Sequence, residues 1–149
     1  MKSFIITLLF LSPLANAQSA RDYMEGQISR DVEGALERAT KTQKPVALVT
    51  FNPDNKERQG VESANEYSLR CFFSLPETRK LVSENFIQIF APFSAKGVDG
   101  YLDKADKTNL PVIIILDKAG NVTHRLDCQA NPKDALKKMQ KIVEEINKK

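Results

Sequence analysis

The chain has 149 residues and a formal net charge of +3 from 22 basic and 19 acidic side chains, with two cysteines and one histidine. Opposite charges are interspersed everywhere except in the lysine-rich last segment, so the chain lacks the basic footprint of a nucleic-acid binder. No apolar run reaches the about 20 residues that a membrane-spanning helix requires.

Met1-Lys2-Ser3 is a short basic start, residues 4–11 are apolar, and Ala15-Asn16-Ala17 is a small-x-small cleavage pattern. That order predicts a signal peptide over 1–17, and with it a periplasmic or secreted protein. No cysteine follows the apolar run to take a lipid anchor, and no stable membrane insertion is expected once the leader is cut. Removing 17 residues leaves 132, starting at Gln18, and loses only the charge of Lys2, so the net charge becomes +2. A chain of that length buries one core, giving a single domain over 18–149.

Ile28, Val32, Ala35, Leu36 and Ala39 recur at helical spacing among charged residues, predicting an amphipathic helix with Ser29 as its cap. It stops before Pro45, where the β-branched and apolar run 46–51 predicts a central strand. Asn52-Pro53-Asp54-Asn55 breaks that strand. Residues 57–73 are ambiguous, although Val61, Ala64, Tyr67 or Ser68, and Phe72 allow a helical face. A clearer helix starts at Pro76-Glu77 and runs to Glu84. Residues 86–90 read as a second strand, and 97–109 as loop with room for one short helix. The uninterrupted apolar run 112–116 reads as a buried strand, followed by a turn at Gly120-Asn121 and a hairpin partner over 122–126. The last helix begins near Pro132 with Ala135, Leu136, Met139, Ile142, Val143 and Ile146 on one face. Strand–helix–strand at the front favours parallel pairing and the tight turn at the back antiparallel pairing. An α/β fold with a mixed four-stranded sheet and helices on both faces satisfies both.

This order resembles the thioredoxin superfamily, especially the secreted thioredoxin-like domains related to periplasmic thiol:disulfide interchange proteins. Lys44-Pro45-Val46-Ala47-Leu48-Val49-Thr50-Phe51 is similar to the family's first core strand, and residues 73–87 resemble its F-x-x-P-E-V…L-x-x-N-F-V stretch. Leu110-Pro111-Val112 falls where the family has its cis-proline, and residues 115–122 are similar to its D-K-x-G hairpin. The likeness spans roughly residues 30–147 and implies a surface beside Leu110 and Pro111 where extended peptides dock. The departure is at the redox motif. W-C-x-x-C would fall on Val61-Glu62-Ser63-Ala64-Asn65, with Glu62 and Asn65 in the cysteine positions. No cysteine lies between Phe51 and Arg70, so no shift of the alignment restores a C-x-x-C pair, and dithiol–disulfide exchange by such a pair is excluded.

Cys71 and Cys128 are the remaining thiols. An even count in an exported protein favours one disulfide. The resemblance instead puts Cys128 where the family carries glycine, at the end of the last strand. It puts Cys71 past the lost motif, roughly 9 Å further along a helix, whereas a bridge needs Cα atoms within about 7 Å. A bridge and two free thiols, with Cys71 buried and Cys128 partly exposed, both remain open. His124, Asp127 and Cys128 cluster in sequence, but neighbours on a strand point to opposite faces, so His124 reads as an exposed strand residue and no metal or cofactor site is expected. Glu57, Glu62 and Glu66 read as a solvated helix face. Ser63 has only His124 to serve it as a base, too little for a triad.

The function expected is therefore a redox-inactive module, more binder than enzyme, that takes a protein or peptide partner through Leu110, Pro111, Glu62 and Asn65. The alternative is a thiol-disulfide oxidoreductase or thiol-handling protein acting through a single cysteine, with Cys128 the foremost candidate and Cys71 the other.

Overall fold

The run Val46-Ala47-Leu48-Val49-Thr50-Phe51 has no charged side chain to give to water, so it belongs where both faces are covered. In a computed structural model describing residues 20, 22–24, 26, 31–52, 64–108, 111–128 and 131–148, it does form an inner strand. The elements in chain order are α1 (Val32–Thr42), β1 (Val46–Phe51), α2 (Ala64–Phe72), α3 (Pro76–Asn85), β2 (Ile87–Pro92), a 3-10 turn (Asp99–Tyr101), α4 (Lys104–Thr108), β3 (Val112–Leu116), β4 (Val122–Asp127) and α5 (Pro132–Asn147). The sheet order is β2-β1-β3-β4. β1 is parallel to β2 and antiparallel to β3, and β3 is antiparallel to β4. This mixed sheet with helices on both faces is a thioredoxin-like α/β arrangement.

Alternation along the strands divides the core into two layers. Ala47, Val49, Phe90, Ile113, Ile115 and Leu126 face one way, under Leu69 and Phe72 of α2, Val82 of α3, and Ala135, Met139 and Ile142 of α5. Val46, Leu48, Ile89, Val112, Ile114 and Leu116 face the other way, under Val32, Ala35 and Ala39 of α1 and under Val98 and Leu102 of the β2–β3 connector. The early segment joins the first layer. Ala20 is fully buried there. The ring of Tyr23 lies 5.5 Å from that of Phe73 and 6.0 Å from that of Phe90, and its hydroxyl donates to the Gln88 amide oxygen.

Three expectations change in detail. Asp31 caps α1, its carboxylate accepting from the Gly34 amide at 2.8 Å; the expected cap Ser29 lies outside the described residues, as does Ile28. The ambiguous stretch becomes helix α2, whose buried Asn65, Leu69 and Phe72 are spaced by four and three residues. On α5 the buried line is Ala135, Met139 and Ile142, whereas Leu136 is only half-buried. Leu136 sits about 100° around the helix from Ala135, at the margin of the contact with the sheet. The predicted signal peptide lies outside the described residues. Among the described residues no helix is long and apolar enough to cross a membrane.

Candidate functional site

Thr50 pairs with Val112, and Val112 with Asp127, which makes one row across β1, β3 and β4 close to the end of the sheet. Just beyond that row lie Asn52 after β1, Pro111 before β3 and Cys128 after β4. Each end is tied down. The Asn52 amide donates to the Asn65 side-chain oxygen at 3.0 Å. The Cys128 amide donates to the Pro111 carbonyl at 3.3 Å. The buried Thr50 hydroxyl reaches the Val112 carbonyl at 3.4 Å.

Asn65 occupies the start of α2 and is 2% exposed. The carboxamide there ties the chain just past β1 to the start of α2 by accepting from the part-buried Asn52 amide, a hydrogen bond worth about 0.5–1.5 kcal/mol. Asn65 is therefore a structural fastener between strand and helix. Pro111 is buried, and its carbonyl is engaged by β4. Glu62 and Leu110, the other two expected binding residues, lie outside the described residues, and so do Glu57 and Ser63. Glu66 is exposed on α2.

Neither described cysteine is in a disulfide: Cys71 is half-buried on α2 and Cys128 is fully buried. This reverses the expected exposures. Cys128 continues the alternation of Leu126 onto the face covered by α5, beside Ala135 and Met139 in the first core layer. Cys71 sits beside, not on, the buried line of α2. Burial, and then the charge of Asp127, push the Cys128 thiol well above its usual range, with Lys138 opposing them. A thiol kept protonated and dry is a poor nucleophile. Cys128 is thus a core residue that happens to reach the end of the sheet, and the two separate thiols offer no pair for dithiol exchange.

His124 is not the exposed residue expected from the sequence. Its Nε2 lies 2.9 Å from Glu145 Oε2 on α5, and its Nδ1 lies 3.1 Å from the Thr123 hydroxyl. The bond from His124 is the main reason that the Glu145 carboxyl titrates below the ordinary carboxylate range. This pair lines a groove of about 780 Å³ shared with Pro45, Lys118 and Ile146, at the opposite end of the sheet from Pro111. Among the described residues no group of three or more His, Cys, Asp or Glu is placed to hold a metal ion.

Sequence reasoning missed Thr50 and Asn52 as parts of this sheet end. A threonine inside an apolar run was the available signal for the first, and nothing local marked the second. It also missed Arg125, whose guanidinium reaches Asp106, and the Tyr101 carbonyl at 2.7 Å.

No family model matches the chain, and no curated protein matches it. Among solved structures it is similar to a disulphide isomerase from Xylella fastidiosa Temecula1, at 16% identity over 75% of this chain and 88% of that one, with a TM-score of 0.48. The assignment of a thioredoxin-like arrangement rests on strand order and pairing, and not on that likeness.

Proposed function

We propose that this protein is an exported, redox-inactive thioredoxin-like module that binds a protein or peptide partner at the end of the sheet that the buried Asn65, Pro111 and Cys128 support from beneath. The observation that carries the reading is Asn65. At the position that the sequence resemblance aligns with a redox cysteine, a buried amide fastens β1 to α2, which supports a framework kept for binding without redox chemistry. Extended peptides dock on such surfaces through backbone groups and side-chain pockets, and neither requires a thiol. Leu110 and Glu62 complete the proposed surface. Export follows from the leader pattern over residues 1–17, and the burial of Ala20 supports a folded unit that begins shortly after Gln18.

Two measurements test the reading. In an insulin-reduction assay the protein behaves as a blank with or without a supply of reductant; turnover near that of a dithiol thioredoxin overturns it. Titration with carboxymethylated insulin B chain, an extended peptide without free thiols, moves the amide resonances of Asn52, Asn65, Val112 and Cys128. Changes confined to the groove around His124 place the binding surface at the wrong end. Amino-terminal sequencing of the protein recovered from the cell envelope or the medium starts at Gln18, and a retained Met1 in the cytoplasm refutes export.

A further inference from the structure

The connector between β2 and β3 ends at Pro111, and the regular structure of its described residues is two short helical pieces, Asp99–Tyr101 and α4. Its α4 has five residues, Lys104–Thr108, far fewer than an isolated helix needs to hold itself together. A reciprocal box closes its start: the Asp106 amide donates to Asp103 Oδ1 at 2.8 Å, and the Asp103 amide to Asp106 Oδ2 at 2.9 Å. That Asp106 oxygen also receives Nη1 of Arg125 from β4. Arg125 Nη2 donates to the Tyr101 carbonyl at 2.7 Å, and its Nε lies 3.8 Å from Asp103. Asp106 is only 7% exposed, so the guanidinium partners a carboxylate that is nearly out of water. A planar fork of donors can hold two carboxylates and a carbonyl in one plane, which a lysine ammonium cannot do.

Three residues further along the chain, just past the end of β4, the Cys128 amide holds the Pro111 carbonyl. β4 and the residue just past it thus grip the connector at two points, at Tyr101–Asp106 through Arg125 and at Pro111 through Cys128. We propose that Arg125 is the positioning residue of this end of the sheet, clamping the connector to β4 so that the entry into β3 at the buried Pro111 is held in one place beneath the surface a partner meets. The consequence for partner binding rests on the function proposed above, whereas the clamp itself does not.

Amide hydrogen exchange on the purified protein tests the clamp. Arg125→Met keeps the aliphatic stem and removes the fork. The amides of Asp103, Asp106 and Cys128 should then exchange about tenfold faster or more, because local opening sets their rate. The amides of Leu48 and Ile114, paired at the centre of the sheet, keep their wild-type rates. Adding Asp106→Asn to Arg125→Met removes the stranded charge while leaving the connector unclamped, so the fast exchange persists. Arg125→Lys restores charge without the fork and recovers the slow exchange only in part. Unchanged exchange at Asp103, Asp106 and Cys128 overturns the proposal. So does a uniform rise that includes Leu48 and Ile114, since Arg125 would then support the whole sheet. In parallel, the affinity for carboxymethylated insulin B chain falls about tenfold in Arg125→Met, the size expected for a lost pre-organised surface. Selective exchange together with a wild-type protein that does not bind the B chain upholds the clamp and refutes the binding function.

Discussion

Two truncations on α5, Met139→Ala and Leu136→Ala, separate the helix face that the sequence offers from the one that the sheet accepts. Met139 is fully buried in the first core layer, with Phe72, Ile115 and Cys128 in the same cluster. Truncating such a side chain removes its transfer free energy and leaves a cavity, a loss of about 2–5 kcal/mol. Leu136 is half-buried, so its loss is nearer to half of the transfer value alone, about 1 kcal/mol. For a domain of this size each kcal/mol lowers Tm by roughly 3–5 °C. Met139→Ala should therefore fall by about 10 °C, and Leu136→Ala by about 4 °C. Urea unfolding followed by circular dichroism gives the same ranking in the midpoint, with an unchanged slope showing that only stability has moved. If Leu136→Ala costs as much as Met139→Ala, α5 is rotated from the orientation described and the assignment of its buried line is wrong.

The remaining predictions concern titrating groups and thiols. Denatured, unreduced protein should label at two thiols, and native protein should label at Cys71 well before Cys128; no labelling before reduction would establish a bridge instead. Because the folded Cys128 thiol titrates well above its usual range, its contribution to stability is complete below the ordinary thiol range. That contribution declines as pH rises through this range toward the folded value, since only the unfolded chain releases the proton there. Cys128→Ala should flatten that alkaline limb of an unfolding profile, and an identical limb would contradict the assignment. Glu145 has the opposite sign: its lowered carboxyl adds stability above the ordinary carboxylate range and loses it as pH falls through the folded value. His124→Ala should return the Glu145 titration, followed by side-chain carbon NMR, to the ordinary carboxylate range, and an unmoved midpoint would show that the bond from His124 does not set it.

Hydrophobic spacing located the four strands to within two residues, because alternation and unbroken apolar runs are local consequences of which faces are covered. The runs 46–51 and 112–116 are covered on both faces and lie inside the sheet, while on the edge strand β4 exposed Arg125 and Asp127 alternate with buried Leu126, and a register shift leaves both Val122 and Thr123 exposed. The stretch before Phe73 was harder to read, because α2 buries a polar residue, Asn65, on the line where a helical pattern asks for an apolar one. Its amide replaces that apolar group by serving a strand end thirteen residues away, and no window along the chain reports such a partner.

Composition and order alone determined a leader-like start, a mixed sheet and the absence of a C-x-x-C pair, since each of these depends on residue type and spacing. Tertiary structure decided what the sequence left balanced. It placed Cys128 under α5 and Cys71 at a helix margin, because strand parity and helix rotation fix which side chains enter the shared layer. It joined His124 to Glu145 across 21 residues and Arg125 to Asp106 across 19. Such pairings arise only when separate elements are packed together, because a charged side chain's partner is set by distance in space and leaves no periodic trace along the chain.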